Sequence, residues 1–79
     1  MDDDEIIQYY QDQYEASGKI LDEGEKQSRI AFASYICDFF DAPEDTRNEI
    51  INSIERFLYV FFGMWRAKLR EALRHFFGV

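Results

Sequence analysis

The sequence predicts an all-α fold, a small three-helix domain whose C-terminal helix is long. Apolar residues recur at three- and four-residue spacing in three segments, about 3–16, 23–40 and 43–77. No segment sustains the period-two alternation of a strand. Only one proline, Pro43, interrupts the pattern, and glycines punctuate it at positions 18, 24, 63 and 78.

Helix one is expected over about residues 3–16. Ile6, Ile7, Tyr10 and Tyr14 form its apolar stripe. Asp2, Asp3, Asp4 and Glu5 fall in its first turn, where carboxylates meet the positive end of the helix dipole. Gly18 is placed to stop it, and Ile20 and Leu21 to tuck the linker against the core. Helix two is expected over about 23–40, with Asp22 and Glu25 at capping-box spacing. Ile30, Phe32, Ala33, Tyr35, Ile36, Cys37, Phe39 and Phe40 occupy most of its wheel, so it reads as the central element, packed on two sides.

Helix three is expected to begin near Pro43, with Asp41 and Glu44 at cap spacing and Thr46 with Glu49 as a competing start. Ile50, Ile54, Phe57, Leu58, Phe61, Trp65, Leu69, Ala72, Leu73 and Phe76 stay within half the wheel. That continuity favours one helix of about 50 Å. Gly63 falls on its polar side, and a kink or break there would instead give a compact four-helix domain. Under the long-helix reading, Trp65, Leu69, Leu73 and Phe76 outrun the shorter helices and need a cover.

Seventy-nine residues make one domain. A chain this short buries only about 60–65% of its unfolded surface, which its fourteen aromatics help to offset. A single Cys excludes an internal disulfide and fits a reducing compartment. The acidic N-terminus is the opposite of a secretory signal, and the longest apolar run, residues 57–65, is far short of the roughly 20 residues of a membrane span. A cytoplasmic protein is the expectation.

Charge is polarised along the chain. Residues 1–55 hold fifteen Asp/Glu against four Lys/Arg, a net −11, and residues 56–79 hold five Lys/Arg against one Glu, a net +4. Such a pattern points to charge-guided association. Two candidate surfaces follow. The first is the acidic face of helix one, with Asp3, Asp4, Glu5, Tyr9, Asp12 and Glu15, suited to a basic surface on another protein such as a nucleic-acid channel. Its bland alternative is a solvated face that complements the dipole. The second is an oligomer or partner interface on the last helix, with Tyr59, Phe62, Trp65, Arg66, Leu69, Arg70, Leu73 and Phe76, since Trp and Arg are favoured anchors. Its bland alternative is an ordinary core-forming last helix.

Catalysis has little to stand on. Cys37 lies on the buried arc of helix two, far along the chain from the sole His, His75. Glu71 and His75 stand one helical turn apart, but two ligands do not make a metal site. No phosphate loop, EF-hand or cofactor motif is present. The net charge of −7 opposes direct nucleic-acid binding.

The sequence therefore predicts a small acidic non-enzymatic protein without cofactor or metal. It would act by protein–protein binding, as an inhibitor or adaptor that occludes a functional surface of a larger protein. Small phage and mobile-element inhibitors offer an analogy of size and charge. The alternative is a structural homo-oligomer, a dimer assembled through the C-terminal helix. A peripheral membrane protein comes third, because the acidic body would be repelled by the anionic lipid its basic helix sought.

Overall fold

The computed structural model describes residues 4–56 and 64–79, the side chains of Asp4 and Arg56 excepted. Its described elements are four helices: α1 (Asp4–Ala16), α2 (Lys26–Phe39), α3 (Glu44–Arg56) and α4 (Met64–Phe77). Among the described residues there is no strand.

The long helix is not found. A continuous helix over 44–77 would be about 50 Å long, but the longest dimension of the molecule is 29 Å, and α4 packs back along α3. The four-helix alternative is the observed one. Gly63 lies outside the described residues, as do Asp3, Tyr59 and Phe62.

Each helix packs on two others: α1 on α2, α2 on α3, α3 on α4 and α4 on α1. Directions follow from the side-chain pairs. Tyr10 meets Phe39 and Phe40 while Tyr14 meets Phe32, so α1 runs against α2. Arg29 meets Glu55 while Arg47 meets Asp38, so α3 also runs against α2. Trp65 meets Phe32 and Phe77 meets Phe40, so α4 runs with α2. The result is an up-down-up-down bundle. Its core takes Ile7, Tyr10 and Tyr14 from α1, Phe32, Ala33, Ile36 and Cys37 from α2, Ile50 and Ile54 from α3, and Trp65, Leu69, Ala72 and Leu73 from α4. These positions keep helical spacing within each element, which is why the sequence stripes became the buried faces.

The end of α1 forms a complete Schellman motif. The Gly18 amide donates to the Glu15 carbonyl at 3.0 Å and the Lys19 amide to the Tyr14 carbonyl at 3.4 Å, with Gly18 at φ +89°. The end of α2 repeats it. The Asp41 amide donates to the Asp38 carbonyl and the Ala42 amide to the Cys37 carbonyl, with Asp41 at φ 49°. Asp41 thus closes α2 rather than capping α3, which opens at Glu44 with the Pro43 carbonyl accepting from the Arg47 amide at 3.0 Å. These two stops yield a paired prediction. Gly18→Ala should cost about 1 kcal/mol, because a Cβ is disfavoured at positive φ. Asp41→Gly should gain a few tenths to about 1 kcal/mol. Urea midpoints moving in the same direction for both variants would contradict the motif assignment.

Helix α2 starts later than the cap spacing predicts. The Asp22 carboxylate accepts from the Gly24 amide at 3.0 Å, and the Asp22 amide donates to the Ser28 hydroxyl at 2.8 Å. Asp22 therefore shapes a turn ahead of the helix, and Glu25 stands at the N-cap in an extended conformation without a side-chain cap.

Candidate functional site

Two clusters follow from this bundle, one on the outer side of α1 and α2 and one along α4. On α1, consecutive residues step about 100° around the axis. Tyr10 points into the core, so Gln11 and Tyr9 flank it on opposite sides. Gln11 accepts a hydrogen bond at 2.9 Å from Arg66 of α4. Tyr9 therefore lies on the side of α1 turned away from α4, 58% exposed. Glu5 and Asp12, three or four residues from Tyr9, share its side of the helix. Glu15 does not: its carboxylate accepts from the Gln11 side-chain amide at 2.8 Å, which holds it toward α4. The Gln8 amide donates to Asp12 at 2.9 Å and leaves the carboxylate its charge. No Lys or Arg occurs between residues 4 and 16. The structure thus brings together Glu5, Tyr9 and Asp12, separates Glu15 from them, and leaves Asp3 and the Asp4 side chain outside the described residues.

Beside Tyr9 runs an aromatic row, built largely from positions whose apolar wheel predicts burial. Tyr9 and Phe39 each lie against Tyr10, with ring centroids 5.2 and 5.4 Å away. The row continues from Phe39 to Tyr35 at 5.1 Å and from Tyr35 to Tyr14 at 5.1 Å. At its far end the ammonium of Lys19 stands 5.5 Å from the Tyr14 ring centre and 5.3 Å from that of Tyr35. Phe39 remains 54% exposed. The i, i+4 pair Tyr35 and Phe39 was the available signal, but nearly every wheel position of α2 is apolar, so the wheel did not mark which edge faces water.

The α4 surface departs from expectation. Trp65, Leu69 and Leu73, expected at an interface, are core residues; Trp65 is 1% exposed and its ring lies 6.2 Å from Phe32. A continuous last helix would leave them uncovered. Once α4 turns back along α3, the chain covers them itself. Arg66 turns inward as well. Its guanidinium bonds Gln11, reaches Glu23 at 3.4 Å and sits 5.8 Å from the Trp65 ring centre. Arg70 is half-buried, and its Nε and one terminal nitrogen are buried without a hydrogen-bond acceptor. Phe76 alone of the described apolar residues in that set is exposed, beside His75, on an open groove of about 570 Å³ between α3 and α4. Phe77 instead stacks on Phe40, centroids 4.3 Å apart.

Cys37 is fully buried, and burial pushes its thiol above the ordinary 9.0, with Asp38 adding to the rise and Arg47 opposing it. Burial, followed by the neighbouring Tyr9, pushes the Tyr10 phenol above 10.0. Both groups are neutral when protonated. A raised folded pKa stabilises the fold fully below the unfolded pKa, and that contribution is lost as pH rises through the folded value. Stability should therefore fall above about pH 9. Cys37 should react with a thiol reagent far more slowly in the native protein than in denaturant at the same pH. Equal rates would contradict its burial. Among the described residues no three His, Cys, Asp or Glu side chains are grouped to hold a metal ion, and no helix is long and apolar enough to cross a membrane.

No family model matches the chain, and no curated protein or solved structure matches it.

Proposed function

We propose that this chain is a non-enzymatic protein-binding module, an inhibitor or adaptor that lays the outer side of α1 against a basic surface of a larger protein. The observation that carries this reading is the division of labour in α1. Its inner side supplies Ile7, Tyr10 and Tyr14 to the core, while its solvent side presents Glu5 and Asp12 with the exposed Tyr9, and Glu15 at the edge toward α4, with no base. Carboxylates so placed are not needed to hold the bundle together, since their described hydrogen bonds run only to glutamines of the same helix. An acidic, largely uncompensated face attracts and orients a basic partner. A cytoplasmic setting suits this role.

The second reading is a homodimer assembled through the C-terminal helix; of the stripe that would seat a second chain, Trp65, Leu69 and Leu73 are buried within the bundle and Phe76 is exposed. The basic character of α4 has an internal use as well: Arg66 ties it to Gln11 and Glu23, and Lys68 lies 3.5 Å from Glu71.

The test is the triple charge reversal Glu5→Lys, Asp12→Lys, Glu15→Lys. Its circular dichroism and melting transition should stay close to those of the parent, since the three side chains are exposed. Its capture of a stoichiometric partner from lysate of the producing cell should fall at least tenfold, given about 0.5–1 kcal/mol or more for each charge engaged. Unchanged capture by a folded triple variant would overturn the reading.

A further inference from the structure

Resting on the acidic-face reading above, we infer that Tyr9 and Phe39 form the seat of that surface, and that its occupant is a Lys- or Arg-bearing amphipathic segment of another protein. The first support is exposure. These two rings project from neighbouring helices against one shared ring, Tyr10, and more than half of each is open to water. Two exposed rings standing against one shared ring form an apolar patch that an apolar segment of a partner can cover. The second is charge. Glu5 and Asp12 stand on the Tyr9 side of α1, and the acid next to Phe39 in sequence, Asp38, is already held by Arg47 at 2.6 Å. The carboxylates with no described ion pair thus lie along α1, one turn to either side of Tyr9, where they would flank a cation seated on its ring.

The third support is the behaviour of the row itself. Its inner end already receives a cation, the ammonium of Lys19 over Tyr14 and Tyr35. Tyr9 and Phe39 continue the same row toward solvent. A second cationic side chain reaching them gains the same ring-quadrupole attraction, reinforced by the carboxylates. Apolar residues on the same segment cover the rest of the two rings, which is why an amphipathic segment fits better than a uniformly charged one.

The probe is a fluorescent synthetic amphipathic helix of Leu and Lys, about four turns long, titrated against the full chain and followed by anisotropy. A Leu–Glu helix of the same pattern serves as the opposite-charge comparison. Three proteins are measured: the parent, Tyr9→Leu with Phe39→Leu, and Glu5→Gln with Asp12→Asn. The leucine pair keeps apolar bulk and removes only the ring faces, so the fold should persist, and circular dichroism reports whether it does. The expected result is that the Leu–Lys helix binds the parent and the Leu–Glu helix does not. The leucine pair should weaken Leu–Lys binding about tenfold, since each ring–cation contact contributes about threefold or more. Full affinity in the leucine pair with loss in the amide pair overturns the aromatic seat and leaves the acidic face standing. Full affinity in both variants overturns both. Failure of the parent to bind the Leu–Lys helix, or equal binding of the Leu–Glu helix, also overturns the seat. Should the leucine pair lose helicity, Phe39→Tyr with Tyr9→Phe, which keeps both rings, must retain parental affinity, and its failure to do so counts against the seat.

Discussion

Trp65→Ala is expected to cost about 3–5 kcal/mol of stability, the largest loss of any substitution considered for this chain. Trp65 is the only tryptophan and is 1% exposed, with its ring across the bundle from Phe32 and beneath the guanidinium of Arg66. Truncating a buried Trp to Ala costs about 3–5 kcal/mol, from lost transfer energy and the cavity left behind. A chain of this length has only about 4–12 kcal/mol in hand. The loss also frees Arg66 from the ring that helps aim it at Gln11 and Glu23, so the α1–α4 contact loosens with the core. The check is a urea melt read by circular dichroism. An interface tryptophan would behave in the opposite way, leaving the melt of the isolated chain unchanged and altering only its association. A parental midpoint for Trp65→Ala would therefore restore the reading of α4 as a docking helix.

Arg29→Ala is expected to have the next largest effect, about 2–3 kcal/mol. Arg29 is the one charged residue among the buried described positions, 5% exposed. Its terminal nitrogen donates to the Glu23 carbonyl at 2.7 Å and its Nε to the Glu55 carboxylate at 3.4 Å. One side chain thus joins the turn before α2 to the last turn of α3. Removing it leaves the half-buried Glu55 without this described cation and the Glu23 carbonyl without its donor. The Glu55 bond is long and Glu55 keeps some solvent, which places the expectation below the loss typical of a fully buried pair. Arg29→Met, which keeps the stem that packs beside α3, should recover part of the loss. If Arg29→Ala and Arg29→Met melt together with the parent, the side chain contributes nothing to the α2–α3 join.

Much of the bundle was legible in the sequence because each helix keeps a stripe at helical spacing. Ile7, Tyr10 and Tyr14, then Phe32, Ala33 and Ile36, then Ile50 and Ile54 are buried as their periodicity implied. The stop at Gly18 was legible for the same kind of reason, since positive φ selects glycine. The division between α3 and α4 was hidden by phase. Trp65 lies eleven steps after Ile54, and eleven steps of 100° fall within about 20° of whole turns, so the two stripes align on a wheel whether or not the helix continues. The start of α2 was hidden by ambiguity: an Asp three residues before a Glu is a capping box in one backbone and, here, an Asp turning onto Gly24. On the candidate site, the acidic residues of α1 were legible as a group, but their partition was not. Glu15 parts from Asp12 through the hydrogen bond it accepts from Gln11, a side-chain choice no spacing encodes. The exposure of Phe39 was not legible, because an aromatic on an apolar wheel reads as core, and only the placement of α1 shows that this edge of α2 ends in solvent.

The surface at issue is the outer side of α1, and carboxyl footprinting of the chain alone and bound to its captured partner addresses it residue by residue. Carbodiimide coupling to glycine ethyl ester labels accessible Asp and Glu, and mass spectrometry reads the extent at each site. Protection of Glu5 and Asp12 on binding, with Glu49 and Glu71 beside the α3–α4 groove labelled as in the free chain, is the predicted result. Protection confined to Glu49 and Glu71, with Glu5 and Asp12 as reactive as before, would contradict it and move the recognition surface to the basic helix.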